Sequence, residues 1–121
     1  MLFDSKYGGA KCVLQDNGYL TDLRTAAAGA LAAKKLCDGA GAWAKEKVQL
    51  CVIGSGIQAM MQVLVIKEVV SINLKVKCWT RTKANGIKVV DDMAKLGVTI
   101  ILSDTVGEAI NDSSPIVTTT L

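Results

Sequence analysis

The sequence contains no histidine, and its four cysteines include no closely spaced pair. They are Cys12, Cys37, Cys51 and Cys78. A zinc site built from cysteine and histidine ligands is therefore excluded, and we predict no metal site. Cysteines in such surroundings are expected to be free thiols, which indicates a reducing, cytoplasmic location.

The sequence also has no long apolar run and no block of like charge. Its uncharged stretches fall well short of the ~20 apolar residues that a membrane-spanning helix needs. The chain does not start with a basic leader followed by an apolar segment, so no signal peptide is predicted. The net charge is +3, with acidic and basic residues interspersed. We therefore expect a soluble protein that binds neither nucleic acid nor membranes.

Aliphatic residues dominate what is present, because half of the chain is hydrophobic and only 4% is aromatic. From residue 47 onward, short apolar runs typical of buried strands alternate with helical patterns. The predicted order is strand 48–53, helix 57–70, strand 74–79, helix 83–96, strand 98–102, helix 105–111 and strand 116–119. This alternation predicts an α/β fold: a Rossmann-type parallel sheet with right-handed crossovers and helices on both faces.

Residues 1–46 have a different pattern. Strands at 1–3 and 10–14 flank a turn with two glycines, which predicts a hairpin. Thr21 and Asp22 can cap a helix over 23–36, and residues 39–41 are expected to form a loop. We therefore divide the chain into residues 1–46 and 47–121. A four-stranded sheet that stops at residue 119 would leave its last edge bare, so we expect the chain to be part of a longer protein.

The segment 54–59, GSGIQA, has the GxGxxA pattern of a dinucleotide-binding loop. Gly54 allows a tight turn out of the strand, Gly56 allows the backbone to approach a pyrophosphate, and Ala59 allows close packing of helix on strand. The helix N-terminus that follows would attract the phosphates. The alternative is a glycine turn with a purely structural role.

The residues after the second strand bear on which dinucleotide binds. NAD-selective sites usually place a carboxylate there for the ribose hydroxyl, but the sequence has no acid between Glu68 and Asp91. It has Thr80, Arg81 and Thr82 instead, and a guanidinium can bind a 2′-phosphate. We predict NADP rather than NAD. The alternative is that Arg81 is an ordinary solvated charge near a helix start.

Arg24 lies in the first turn of the predicted helix 23–36. A positive charge there is unfavourable because the helix dipole is positive at the same end. A bound carboxylate or phosphate would reverse this penalty. From the residues alone, an anion site and a plain surface arginine remain equally open.

Four segments together resemble the ornithine cyclodeaminase/mu-crystallin family, and the resemblance extends over essentially the whole chain. They are 19–30 (YLTDLRTAAAGA), 53–59 (IGSGIQA), 79–82 (WTRT) and 117–120 (VTTT). The resemblance implies a Rossmann domain at 47–121, truncated here. It also implies that residues 1–46 are part of a second domain that binds substrate and forms a homodimer.

The resemblance further implies roles for individual residues. Arg24 matches the arginine that binds the substrate carboxylate. Cofactor-binding positions are Thr25, Gly54, Ser55, Gly56, Ile57, Gln58, Thr80, Arg81, Thr82, Thr118 and Thr119. The family's substrate-side lysine and catalytic aspartate fall outside this sequence, so we expect the segment alone to be inactive. Ser114 and Pro115 replace the usual Asp and aliphatic residue, and the proline is expected to shift the start of the fourth strand slightly.

The activity that the resemblance implies is oxidoreduction at the C–N bond of a small amino or imino acid, as in an NADPH-dependent imino acid or ketimine reductase. Two alternatives remain open. One is an ornithine cyclodeaminase that converts L-ornithine to L-proline and ammonia. The other is a non-catalytic NADPH-binding crystallin or hormone carrier.

Overall fold

The computed structural model describes residues 1–39, 41, 47–69 and 73–120. The elements are β1 (Leu2–Phe3), β2 (Ala10–Cys12), α1 (Tyr19–Gly39), β3 (Lys47–Ile53), α2 (Ile57–Val69), β4 (Asn73–Trp79), α3 (Lys83–Lys95), β5 (Ile100–Leu102), α4 (Val106–Ile110) and β6 (Ile116–Thr118). Strands β1 and β2 form the predicted antiparallel hairpin. None of the described helices is long and apolar enough to cross a membrane.

The other four strands form one parallel sheet in the order β5-β4-β3-β6. The predicted parallel Rossmann-type sheet is thus confirmed. The chain crosses from one side of β3 to the other between β5 and β6, so the sheet reverses its strand order beside β3. In open α/β sheets, ligands bind at this reversal, outside the carboxyl ends of the strands.

Helices cover both faces of the sheet, as predicted. Alternate residues of β3 and β4, such as Leu50 and Val76, are buried with side chains of α2 and α3, such as Ile66 and Met93. On the opposite face, the Lys77 ammonium donates to the carbonyl of Glu108 in α4 at 3.1 Å. The apolar core therefore lies between the sheet and the α2–α3 layer, and it anchors the end of β3 from which the glycine loop emerges.

Helix α1 starts earlier than predicted, and this corrects the interpretation of Arg24. The carboxylate of Asp16 accepts from the amide of Leu20 at 2.6 Å, so the first turn forms at Tyr19 rather than at Leu23. That bond also lowers the pKa of Asp16. Arg24 consequently lies in the second turn, away from the unpaired amides of the helix end. The dipole argument for an anion beside Arg24 was therefore wrong.

The remaining differences are small. Strand β6 ends at Thr118, one residue before the predicted end, and β5 starts at Ile100 instead of residue 98. The strand does start at Ile116 as expected, directly after Pro115, whose carbonyl accepts from the amide of Cys51 at 3.0 Å. The predicted end of α2 at residue 70, residue 40 of the predicted loop and the boundary at 46/47 lie outside the described residues.

Helix α1 packs closely on α2 because its inner face consists of small residues. Ala26, Ala30 and Ala33 are buried there. Gly29 lies directly against the side-chain amide of Gln62, and a Cβ at Gly29 would overlap that amide. Gln62 is itself only 6% exposed, so it has little room to move.

We expect Gly29→Ala to lower the free energy of unfolding by about 1–3 kcal/mol, because the added methyl group must displace a buried side chain. Urea unfolding would measure the loss. Combining it with Gln62→Ala should give a loss smaller than the sum of the two single effects, since the methyl group would then enter the space left by the amide. Strict additivity would contradict the close approach of the two residues.

Candidate functional site

A cleft of about 510 Å³ lies at the carboxyl ends of β3, β4 and β6. Its volume falls in the usual range for small-molecule sites. It is lined by Gly54, Ser55, Gly56, Trp79, Thr80, Arg81, Thr82, Asn85, Thr119 and Thr120. The structure thus brings together, at the ends of three separate strands, seven of the residues predicted to bind a dinucleotide.

Gly54 forms the turn out of β3, and only glycine fits there. Its φ of +136° is rarely adopted by other residues. Its amide donates to the carbonyl of Trp79 at 2.9 Å. A Cβ at Gly54 would overlap the hydroxyl of Thr119 and lie 3.2 Å from that residue's carbonyl carbon. Gly54 therefore joins the ends of all three strands.

Gly56 is different, because none of the described residues other than its two chain neighbours lies within 4 Å of the position that its Cβ would occupy. It is exposed and faces the cleft, with a backbone conformation that other residues can adopt. The chain itself therefore does not require glycine here. The space left open suits a ligand that approaches the backbone closely, as a pyrophosphate does in dinucleotide sites.

Other groups around the loop also suit a phosphate. The hydroxyls of Ser55 and Thr80 lie 2.9 Å apart, which links the loop to the end of β4. The first intrahelical bond of α2 runs from Ala59 to the carbonyl of Gly56, so the amides before Ala59 have no partner within the helix. With the partial positive charge of the helix end, they favour an anion. The residues present therefore fit a dinucleotide.

A buried thiol forms a hydrogen bond with the first residue of the glycine loop. Cys78 Sγ donates to the carbonyl of Gly54 at 3.4 Å. Burial, together with the neighbouring Cys51, raises the pKa of Cys78 to about 11. The thiol therefore keeps its proton at neutral pH and can act as the donor in this contact.

Arg81 also lines the cleft, next to Thr82 in sequence, and is exposed to solvent. None of the ten residues that line the cleft is acidic. A smaller groove of about 170 Å³ adjoins it and includes Asp104. That carboxylate is paired with the Lys83 ammonium at 2.9 Å, and the pairing raises the pKa of Lys83. The surroundings of Arg81 are thus cationic, which suits a phosphate.

The predicted residues that do not line the cleft have other positions. Thr118 is the exposed last residue of β6, and Ile57, 48% exposed, lines a neighbouring groove with Ser55. The Thr25 hydroxyl donates to the carbonyl of Thr21 at 2.8 Å. Gln58 is turned away toward α1, so it can offer a cofactor only its backbone amide. Arg24 is exposed on α1.

Three residues of the cleft were not predicted: Trp79, Asn85 and Thr120. Trp79 and Thr120 are next to predicted positions in the sequence. Their location at or just after the end of a parallel strand would have been enough to predict them. Asn85 lies four residues after Arg81, and its amide donates to the carbonyl of Thr82 at 3.0 Å as α3 begins. It lies in the first turn of α3, directly after the predicted positions, and no motif in the sequence marks it.

Helices α1 and α2 lie side by side and run in the same direction. Asp22 contacts Gln58, and Thr25 contacts Gln62, so the contacting positions rise together along both helices. The N-terminal turns of α1, which include Arg24, are therefore next to the N-terminus of α2, where the glycine loop ends.

The sequence pattern and this geometry agree with a family comparison. The family model for the ornithine cyclodeaminase/mu-crystallin family matches residues 1–121. The chain belongs to the ornithine cyclodeaminase/mu-crystallin family. The resemblance inferred from the four segments is thus confirmed.

Two curated relatives of this family member come from rhizobia. One is an uncharacterized cyclodeaminase of Sinorhizobium fredii, 34% identical over 121 residues, which are 99% of this chain and 34% of the relative. The other, from Rhizobium meliloti, is named as a putative dehydrogenase and is 36% identical over 99% of this chain and 35% of its own length. The chain thus spans about a third of the length of these relatives.

Two solved structures have a similar overall fold. The chain is similar to the Thermococcus litoralis Δ1-pyrroline-2-carboxylate reductase in complex with NADH and L-proline, with a TM-score of 0.76, 26% identity, and coverage of 96% of this chain and 34% of that one. It is also similar to an archaeal alanine dehydrogenase dimer with bound NAD, with a TM-score of 0.64, 28% identity, and coverage of 84% and 29%. Both similarities support the Rossmann-type fold.

Proposed function

We propose that this family member is part of a nicotinamide-dinucleotide-dependent oxidoreductase that acts on the C–N bond of a small amino or imino acid. The proposal rests on the parallel pairing of α1 and α2, because this pairing brings the N-terminal turns of α1, which include Arg24, next to the dinucleotide loop. The proline-bound Thermococcus reductase and the archaeal alanine dehydrogenase support it, since both act on molecules of this class. The homodimer and the cytoplasmic location remain predictions.

In this proposal each group has one task. Gly54, Ser55 and Gly56 would hold the pyrophosphate of the dinucleotide. Arg24 binds the substrate carboxylate through paired N–H donors, and so fixes the orientation of the carbon next to it. When bound, the nicotinamide supplies hydride transfer, while the chain supplies binding and orientation.

Measuring turnover of the full-length protein tests the proposal. We expect it to oxidise NADPH in the presence of pyrroline-2-carboxylate. Release of ammonia from L-ornithine without net dinucleotide turnover would favour the second candidate, a cyclodeaminase, which the name of the Sinorhizobium relative supports. Tight NADPH binding without any turnover would instead indicate a carrier.

We further propose that the dinucleotide is NADP. The basis is Arg81, which has no ion-pair partner among the described residues and lines a cleft whose ten described lining residues include no carboxylate. The solved relatives hold NADH or NAD, which supports a nicotinamide dinucleotide, and the choice of NADP is proposed from Arg81 alone.

We expect Arg81→Ala to weaken NADPH binding about 10- to 100-fold, because a charged hydrogen-bonded pair is lost. NADH affinity should change less than about twofold, since NADH has no 2′-phosphate. Titration of both dinucleotides by fluorescence would measure the ratio. Lys95→Ala on the far end of α3 is the matched control, because it removes the same charge away from the cleft. An unchanged NADPH/NADH ratio in Arg81→Ala would contradict the proposal.

A further inference from the structure

Two glutamines of α2 connect the dinucleotide loop to α1. The side-chain amide of Gln58 donates to the Asp22 carboxylate at 2.8 Å and to the Asp22 carbonyl at 3.2 Å. One turn later, Gln62 donates to the carbonyl of Thr25 at 3.3 Å. Both partners of Gln58 are acceptors only, so its NH2 group must face them. These bonds join residues that are far apart in sequence.

The two glutamines do not maximise the stability of the helix pair. The Oε1 atoms of Gln58 and Gln62 are buried, and neither has a hydrogen-bond partner among the described residues. A buried oxygen without a partner lowers stability, and an apolar side chain of similar size would avoid this loss. In coiled coils, a buried polar group of this kind fixes the register between two helices, and we infer the same role here.

The register between α1 and α2 affects the part of the site in which the substrate would bind. Arg24 lies between Asp22 and Thr25, the two residues of α1 that the glutamines hold. Gln58 is in the first turn after the glycine loop. A hydrogen bond at Gln58 therefore connects the first turn of α2, directly after the glycine loop, to Asp22, which lies two residues before Arg24 on α1.

We propose that Gln58 is a positioning residue that holds Arg24 in register with the dinucleotide loop through its bond to Asp22. This inference rests on the proposed function, because it assumes that Arg24 binds the substrate carboxylate. It assigns the Gln58 side chain to the alignment of substrate with cofactor and not to binding of the cofactor itself.

Gln58→Glu in the full-length protein tests this inference, because it replaces the donor to Asp22 by a second carboxylate, which repels that of Asp22. We expect kcat/KM for pyrroline-2-carboxylate to fall about tenfold or more, since small misplacements of a bound substrate slow catalysis strongly. NADPH affinity should fall less than kcat/KM, because the side chain of Gln58 faces Asp22 on α1 and does not line the cleft. Gln58→Met, which removes the hydrogen bond without adding charge, should also lower kcat/KM. It replaces Gln58→Glu as the test if Gln58→Glu does not fold.

The double variant Asp22→Asn/Gln58→Glu provides the rescue. The new side-chain amide at position 22 can donate to the carboxylate at position 58, which restores the bond with its direction reversed, so most of the lost kcat/KM should return. The inference is overturned if the single variants leave kcat/KM unchanged. It is also overturned if NADPH affinity falls as far as kcat/KM and the double variant restores neither. Failure of the wild-type protein to turn over any amino or imino acid would instead overturn the proposed function.

Discussion

Replacing Gly54 by alanine is expected to lower the free energy of unfolding by about 2–6 kcal/mol, from backbone strain and steric overlap together. The strain follows from the φ of +136°, and the overlap follows from the Thr119 hydroxyl and carbonyl against which Gly54 lies. The loss is large beside the 5–15 kcal/mol, roughly, that stabilises a typical domain. The displaced Thr119 would also open the cleft, so dinucleotide binding should be lost.

Gly56→Ala is the matched control, because it adds the same methyl group two residues later. No residue in the described part of the structure obstructs that methyl group, so the free energy of unfolding should change by less than about 1 kcal/mol. Dinucleotide affinity should nevertheless fall about tenfold or more, or about 1.4 kcal/mol, because the methyl group enters the open space of the cleft. Urea unfolding and dinucleotide titration would separate the two effects. Equal loss of stability in both variants would contradict the distinction between the two glycines.

The parts of the fold that the sequence predicted well are those in which one segment determines its own structure. The run Val48–Ile53 is largely apolar, so it had to be a strand buried on both faces. The glycine spacing after it allowed one kind of turn. The order of alternating elements then determined a parallel sheet, and with it the meeting of three strand ends at one cleft.

The parts that could not be predicted depend on contacts between distant segments. The start of α1 was placed four residues late because its cap, Asp16, lies outside the periodic segment that signals the helix. The bond between Gln58 and Asp22 joins residues 36 positions apart. Nothing in either local sequence indicates it, because both residues are common on solvated helix faces. The motif suggested a cofactor contact for Gln58, whereas the packing of two helices determines where its side chain lies.

The corrected position of Arg24 changes the reason for expecting an anion beside it. In the first turn, the guanidinium would have been unfavourable without a ligand. In the second turn of α1 it is exposed and carries no such penalty. Its proposed role therefore rests on where α1 lies, next to the N-terminus of α2, and on the family to which the chain belongs. A functional measurement then distinguishes a substrate ligand from a surface charge.

For that reason we expect Arg24→Ala in the full-length protein to lower kcat/KM for the amino or imino acid about 100- to 1,000-fold, as loss of a charged partner usually costs 2–5 kcal/mol or so. Arg24→Lys should recover part of this activity, because an ammonium keeps the charge but cannot bind a carboxylate through two parallel N–H groups. Stability should change by less than about 0.5 kcal/mol, since the side chain is exposed.

Steady-state kinetics with a separate NADPH titration would measure these effects. Lys35→Ala is the matched control, because it removes an exposed positive charge from the same helix, about three turns beyond Arg24 and farther from the loop. It should leave kcat/KM unchanged within about twofold. If Arg24→Ala behaves like Lys35→Ala, Arg24 is a surface charge. If it weakens NADPH as much as it weakens the substrate, the arginine binds the dinucleotide instead. Only a loss confined to the substrate would support a carboxylate site on α1, because the dinucleotide groups belong to the sheet and α2.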